Sequence, residues 1–413
     1  MRVQRCKGTR DLSPEEMSRF RLIEEAFREY CLSWGYEEVK TPTLEYFYLF
    51  TSTGTLTPSM LSKVYSFLDW DGWSGERVVL RPDVTIPVAR LYIETMEGKG
   101  LAKLFYIANV FIFEQTGQET RERWQCGAEL IGAVSPLADV EWMVLALDVL
   151  KRLGLENIEL RLSHAGLIRA LLSKLGLSPD EQARIFDQIL DGDGKALAEL
   201  KPKGLESGEA LSLLLDGKAK SSGFLRNLKS LFSQSLPELE PSLDNFISIV
   251  ELLEVLGYEY QIDIASGRGF EYYTGVICQF FIGEEKIGGG GRYDALIPLM
   301  SGRDIPASGF ALYLDHLMNL VKPEALAKTR VKKILIRAGD SCPEVTKEGI
   351  NIASCLRQAG YVVELDLGGQ KPANFRWTLE VRSEAPLFIL SDRVKHRKFE
   401  AQTTAEVIEL LNR

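Results

Sequence analysis

Apolar residues return at helical spacing early in the chain, at Phe20, Leu22, Ile23, Phe27 and Tyr30, which predicts an amphipathic helix. Ser13, Pro14 and Glu16 mark its start: a hydroxyl that can cap the first turn, a proline suited to it, and a glutamate placed to reach back to the cap. Gly35 stops it. The segment YEEVKTPTLEY reads as an extended edge broken at Pro42. Apolar runs predict strands over residues 77–82, 103–115 and 124–132, the second alternating only loosely. A helix over 137–153 ends in Lys151 and Arg152 before Gly154, the arrangement that the helix dipole favours.

The pattern changes between about 165 and 255, where Leu, Ser and Lys dominate at helical spacing and aromatics are scarce. This predicts an all-helical insertion. Strands return over 260–266 and 276–282, then a Gly-rich loop at 288–291 and helix-like segments to about 322. Pro323 and the charged stretch to Lys333 read as a linker. The remainder runs strand, helix, strand, strand, helix. The expected architecture is α+β. Residues 1–325 form an antiparallel sheet with flanking helices and the insertion, and residues 331–413 form a small C-terminal α/β domain. A chain of 413 residues exceeds what one ordinary core supports.

Composition narrows the function. The hydrophobic share of 45% and charged share of 26% are those of a globular protein in water. A net charge of −9 argues against nucleic acid as a partner, since such binding neutralises phosphates with a basic face. Residues 331–413 carry 13 basic against 11 acidic side chains, and their one basic run, RVKHRK, reads most simply as a solvated turn. The first residues lack the apolar core of a signal peptide, and no membrane-length apolar stretch occurs. The six cysteines are scattered, with no C-x-x-C pair, as expected of reduced thiols in a cytoplasm. His164, His316 and His396 stand apart from them, so no metal site is expected. There is no G-x-S-x-G, no G-x-x-x-x-G-K-[ST] and no G-x-G-x-x-G after a strand. No cofactor is expected, and any nucleotide would be held in some other way.

Four segments concentrate polar groups in sheet-like surroundings: LRPDVTIPVAR, FIFEQTGQETRERWQCGAELIG, SGRGFEYYTG and GGGGRYDAL. Gln125, Gly127 and Glu129 fall two residues apart on a strand and face one way. A carboxylate and an amide there suit an ammonium group and a polar side chain. Arg268 beside Tyr272 and Tyr273 offers a charge and flat walls for a small planar ligand. Any one of these residues is more simply an internal ion pair. Several in one sheet point to a ligand or a mutual network, because unpaired buried charge is costly.

Together the segments resemble histidyl-tRNA synthetase and its relatives over about residues 8–320. KGTRDLSP is similar to that family's opening, WGYEEVKTP to its motif 1 region and LRPDVTIPVAR to its RPE-x-T element. QCGAELIG, with Asp139 and Glu141 after it, is similar to Q-x-G-x-E-x-x-G and D-x-E, RGFEYYTG to the histidine-binding signature RGLDYYTG, and GGGGRYDAL to GGGRYD-x-L. The resemblance implies a class II aminoacyl-tRNA synthetase-like fold. It also implies a histidine pocket of Asp83, Thr85, Gln125, Glu129, Arg268, Tyr272 and Tyr273, with Arg121 as a candidate for the carboxylate. The tail resembles the family's anticodon-binding domain more weakly.

The departures bear on activity. Where the family places the motif 2 arginine on the ATP α-phosphate, this chain has Ile112; Glu119 replaces a second arginine, and His316 the motif 3 arginine. Losing one donor to developing phosphate charge costs on the order of 10²–10³ in rate, and histidine is no bidentate substitute for arginine. This combination resembles a paralogous family, the regulatory subunits of ATP phosphoribosyltransferase. The implication is no catalysis by the chain alone, a short-form catalytic subunit as hetero-oligomeric partner, L-histidine as effector, and a homodimer core. An active histidyl-tRNA synthetase and a stand-alone histidine-binding or tRNA-interacting paralogue remain the alternatives.

Overall fold

A computed structural model of the chain describes residues 4–53, 61–70, 75–96, 98, 100–113, 120–173, 177–190, 218–264, 272–322, 333–339, 342–368 and 375–412. Two compact units result, Met1–Ala325 and Leu326–Arg413.

The first helix spans Pro14–Ser33. Ser13 N–H donates to Glu16 Oε2 at 2.7 Å, and Glu16 N–H donates to Ser13 Oγ at 3.3 Å. That reciprocal pair satisfies two of the amides a helix start leaves open. Phe20, Ile23, Phe27 and Cys31 of this helix are buried.

The strands of the first unit are β1 Glu37–Glu38, β2 Leu44–Tyr46, β3 Ser66–Trp70, β4 Gly75–Leu80, β5 Ala102–Phe111, β6 Glu122–Ile131, β7 Ile158–His164, β8 Lys218–Ala219, β9 Gln261–Asp263, β10 Val276–Ile282, β11 Glu285–Arg292 and β12 Ala307–Tyr313. Nine form one sheet in the order β1-β5-β6-β12-β11-β10-β7-β9-β8, and β2-β4-β3 form a smaller one. From β5 to β7 every neighbouring pair is antiparallel. Both faces of the large sheet are covered. Phe105, Cys126 and Phe310 join the core under the helices Pro14–Ser33 and Pro136–Arg152. Leu104, Tyr106 and Val110 join a second core with the helix Thr85–Thr95. Two covered faces explain why β5 alternates so loosely in sequence. Within 165–255, the described helices are Ala165–Ser173, Pro179–Leu190, Ser222–Phe232 and Glu240–Val255.

Besides β8, a short strand that pairs with β9 inside the insertion read as all-helical, the structure corrects two local expectations. Residues 288–291 are not a loop: they form the end of β11, paired with β10 and β12. Glycine is required there for close approach. A Cβ on Gly290 would sit 2.2 Å from the Gly309 carbonyl oxygen, and one on Gly288 would sit 2.7 Å from that of Ala311. Gly290→Ala is expected to destabilise the protein by about 1–3 kcal/mol or more, as overpacking does where backbone must move. Urea denaturation checks this, with Gly302→Ala, at a helix end with φ +74° and open space, as the milder comparison. The second correction is β12, which lies inside the stretch read as helix-like.

The second unit holds β13 Lys333–Ala338, β14 Val362–Leu365, β15 Trp377–Val381, β16 Phe388–Asp392 and β17 Arg397–Ala401, in the order β14-β13-β15-β16-β17. Helices Pro343–Gln358 and Thr404–Asn412 accompany them. The strands β15 and β17 went unread in the sequence, although Trp377, Leu379 and Val381 are buried in alternation. The basic run RVKHRK spans the β16–β17 turn and the first two residues of β17, with His396 at φ +53°. Residues 323–332, read as a linker, lie outside the described residues.

Candidate functional site

A cavity of about 790 Å³ opens over the large sheet of the first unit. Three glycines let side chains lie flat on its floor. A Cβ on Gly309 would sit 2.1 Å from Glu129 Oε2, one on Gly127 2.2 Å from the Tyr106 ring, and one on Gly291 2.6 Å from the Tyr273 ring. Arg123, Gln125 and Glu129 line the cavity from β6. Arg123 and Glu129 lie six residues apart, which is about 20 Å of strand, so the cavity has two separated ends.

One end is acidic and buried. Glu129 is buried, as are Asp83 and Thr85. Thr85 Oγ1 donates to Glu129 Oε1 at 2.8 Å, and Tyr293 Oη donates to Glu129 Oε2. Asp83 Oδ1 accepts the Ile86 N–H at 2.8 Å, which ties it to the start of the helix Thr85–Thr95, and Tyr272 Oη donates to Oδ2 at 3.4 Å. Burial pushes the Glu129 carboxyl up to about 8, against the opposing hydrogen bonds from Tyr293 and Thr85. Burial likewise pushes Asp83 up to about 6, opposed by the Ile86 amide and Tyr272. Tyr272 meets Tyr273 edge-on at 5.1 Å and Tyr293 at 5.5 Å. Two carboxyls ringed by tyrosines suit a small cation with a planar group attached.

The other end is lined by Arg10, Ile112, Thr120, Arg123, Asp315 and His316. Its charges are largely committed to one another. Asp315 pairs with Arg10 and accepts the Trp124 N–H at 2.6 Å. His316 Nδ1 lies 2.8 Å from Glu285 Oε1. Arg123 Nε donates to the Thr120 carbonyl at 3.1 Å. Ile112 puts an apolar side chain on this wall.

Of the residues singled out in the sequence, Asp83, Thr85, Gln125, Glu129, Tyr272 and Tyr273 line the one cavity. Arg121 does not: its guanidinium lies over the Phe113 ring at 4.3 Å, and its stem packs against Gly8. Arg268, Glu271, Glu114 and Glu119 lie outside the described residues. Three other arginines of these segments serve the fold. Arg81 donates to Asn109 and to the Thr41 and Pro42 carbonyls. Arg90 forms a fork onto Glu45 at 2.8 and 3.0 Å. Arg292 is buried with Asp139 at 2.8 Å and reaches Asp294 and the Ala133 carbonyl. Sequence reasoning missed Tyr106, Tyr293, Arg10 and Arg123. The last was legible from its two-residue spacing before Gln125.

A sequence profile described as histidyl-tRNA synthetase matches residues 8–317. The chain belongs to the histidyl-tRNA synthetase family. Members of this family differ in their distance from it. The chain is 50% identical over 411 residues to a protein of Dehalococcoides mccartyi named ATP phosphoribosyltransferase regulatory subunit, covering 99% of this chain and 98% of that one. It is 34% identical over 381 residues to a histidine–tRNA ligase of Methanococcus maripaludis, covering 89% of this chain and 87% of that one. Among solved structures, an ATP phosphoribosyltransferase regulatory subunit/histidyl-tRNA synthetase of Bacillus halodurans superposes with a TM-score of 0.80 at 24% identity, over 93% of this chain and all of that one. The histidyl-tRNA synthetase of Nostoc gives 0.77 at 18% identity, over 100% and 99%. These two likenesses establish the class II synthetase-like fold of the family. No described helix is long and apolar enough to cross a membrane.

Proposed function

We propose that the chain is a non-catalytic regulatory subunit of ATP phosphoribosyltransferase, the enzyme that joins ATP and phosphoribosyl pyrophosphate in the first step of histidine biosynthesis. It works in the cytoplasm in a hetero-oligomer with a short-form catalytic subunit, around a homodimer of this chain, and it senses L-histidine. The observation that carries the reading is the half-identity, over nearly the whole chain, to a protein of that name.

The cavity chemistry is in keeping with it. In this reading Glu129 and Asp83 receive the amino group, Gln125 a polar group, and Tyr272 and Tyr273 flank the imidazole; Arg121, whose guanidinium lies over the Phe113 ring outside the cavity, does not serve the carboxylate. At the far end, an isoleucine and an internally paired histidine occupy the positions where the resemblance calls for arginine. Sensing without activation is what a feedback subunit requires.

Arg10 and Arg123 on the same wall favour the second reading, an active histidine–tRNA ligase. Arg10 is already paired with Asp315, so it offers little free charge to a triphosphate. Histidine-dependent exchange of pyrophosphate into ATP separates the readings. The expected result is exchange at the background of a no-enzyme control; robust exchange would establish the ligase.

A further inference from the structure

We propose that the carboxyl pair Glu129 and Asp83 exchanges a bound proton for the ammonium group of its ligand, so that occupancy of the cavity is linked to pH. The proposal rests on the reading of this cavity as the histidine site and deepens it.

The geometry is an acidic cluster with no cation turned into it among the described residues. From β5, Tyr106 faces Glu129; from the helix Thr85–Thr95 and its entry come Thr85 and Asp83; Tyr272, Tyr273 and Tyr293 close the remaining sides. From β12 comes Gly309, which brings no side chain. Arg81 acts on Asp83 only across space, because its guanidinium is turned onto Thr41, Pro42 and Asn109. Two carboxylates cannot both ionise here without a counter-charge. Burial holds Glu129 up to about 8 and Asp83 up to about 6. The empty pair therefore keeps a proton at neutral pH, with Glu129 its main seat.

An entering ammonium supplies the missing counter-charge. The carboxyl O–H then breaks, the carboxylate pairs with the ammonium, and the proton leaves to solvent. No other bond changes. A planar ring without an ammonium gains nothing from this step, so the pair also selects for the amine. Since the ligand competes with a proton, its affinity rises as pH increases from 6 towards 8.

Two measurements on the full-length chain test this. The first is calorimetric titration with L-histidine at pH 7 in phosphate and in Tris, whose ionisation enthalpies differ. Wild type is expected to release about one proton more per site than Glu129→Gln, the ligand's own ionisation being common to both, whereas Asp83→Asn, which keeps the buried Glu129, is expected to release close to the wild-type count. Imidazolepropionate, which lacks the amine, is expected to bind at least about tenfold more weakly and to release no proton from the pair. The second is infrared difference spectroscopy. A protonated-carboxyl band is expected at pH 7 in the ligand-free protein, absent in Glu129→Gln and bleached by L-histidine. Equal proton counts in wild type and Glu129→Gln, or no such band in wild type, would overturn the exchange. If L-histidine fails to bind but histamine bleaches the band, the histidine reading falls and the exchange stands. If neither bleaches it, the exchange falls.

Discussion

Replacing Arg292 with methionine is expected to lower stability by about 3–5 kcal/mol. Asp139 is fully buried on the helix Pro136–Arg152, and Arg292 at the end of β11 meets it at 2.8 Å. Burial raises the Asp139 carboxyl, and Arg292 opposes that rise. Removing the guanidinium leaves a carboxyl with its countercharge gone, together with the Ala133 carbonyl and Asp294 it served. Breaking one half of a buried pair typically costs this much, whereas replacing both halves with apolar groups costs far less. Urea denaturation of Arg292→Met and of the double variant with Asp139→Leu is the check. A single-variant loss below about 1 kcal/mol would show that the pair does not tie the helix to the sheet.

The second large effect falls on the ligand. Glu129→Gln is expected to weaken L-histidine binding by about 100-fold or more, as truncation of a buried charge partner does. The same substitution is expected to make the empty protein more stable at pH 8. The sign follows from linkage. In the unfolded chain the carboxyl ionises near 4.5; in the folded chain burial delays this to about 8. Stability from the neutral carboxyl is therefore complete below about 4.5 and is lost as pH rises through 8. Glutamine never ionises, so its advantage in melting temperature should be small at pH 5 and should widen by pH 8. Asp83 carries a similar loss in a lower window, from 3.8 to about 6, in both proteins. Differential scanning fluorimetry across that range, without ligand, would contradict the account if the gap narrowed with pH.

These residues also show what a sequence can and cannot disclose. The capped first helix, the shared face of Gln125 and Glu129, and the adjacent pair Tyr272 and Tyr273 were legible because each depends on local spacing. The Arg292–Asp139 pair was not, since its partners lie 153 positions apart and meet only once β11 and the helix Pro136–Arg152 pack. The run Gly288–Gly291 misled for a physical reason. Glycine signals a turn when backbone freedom is the need, but here the need was close approach between three strands. Tyr106 escaped notice as one apolar position in a strand buried on both faces; only the missing side chain of Gly127 makes room for its ring in the cavity. Ile112 and His316 could be weighed because a resemblance supplied the residues to expect. Arg10 lay in the opening segment that the resemblance covered, but its pairing with Asp315, 305 positions away, had no local signal.

The most direct test of the account is the activity of a short-form ATP phosphoribosyltransferase catalytic subunit, with and without this chain, across a titration of L-histidine. The account predicts that the chain binds that subunit, raises its activity and makes it sensitive to histidine, and that Glu129→Gln keeps the activation while losing most of the inhibition. A catalytic subunit that neither binds the chain nor changes its rate in its presence would contradict it.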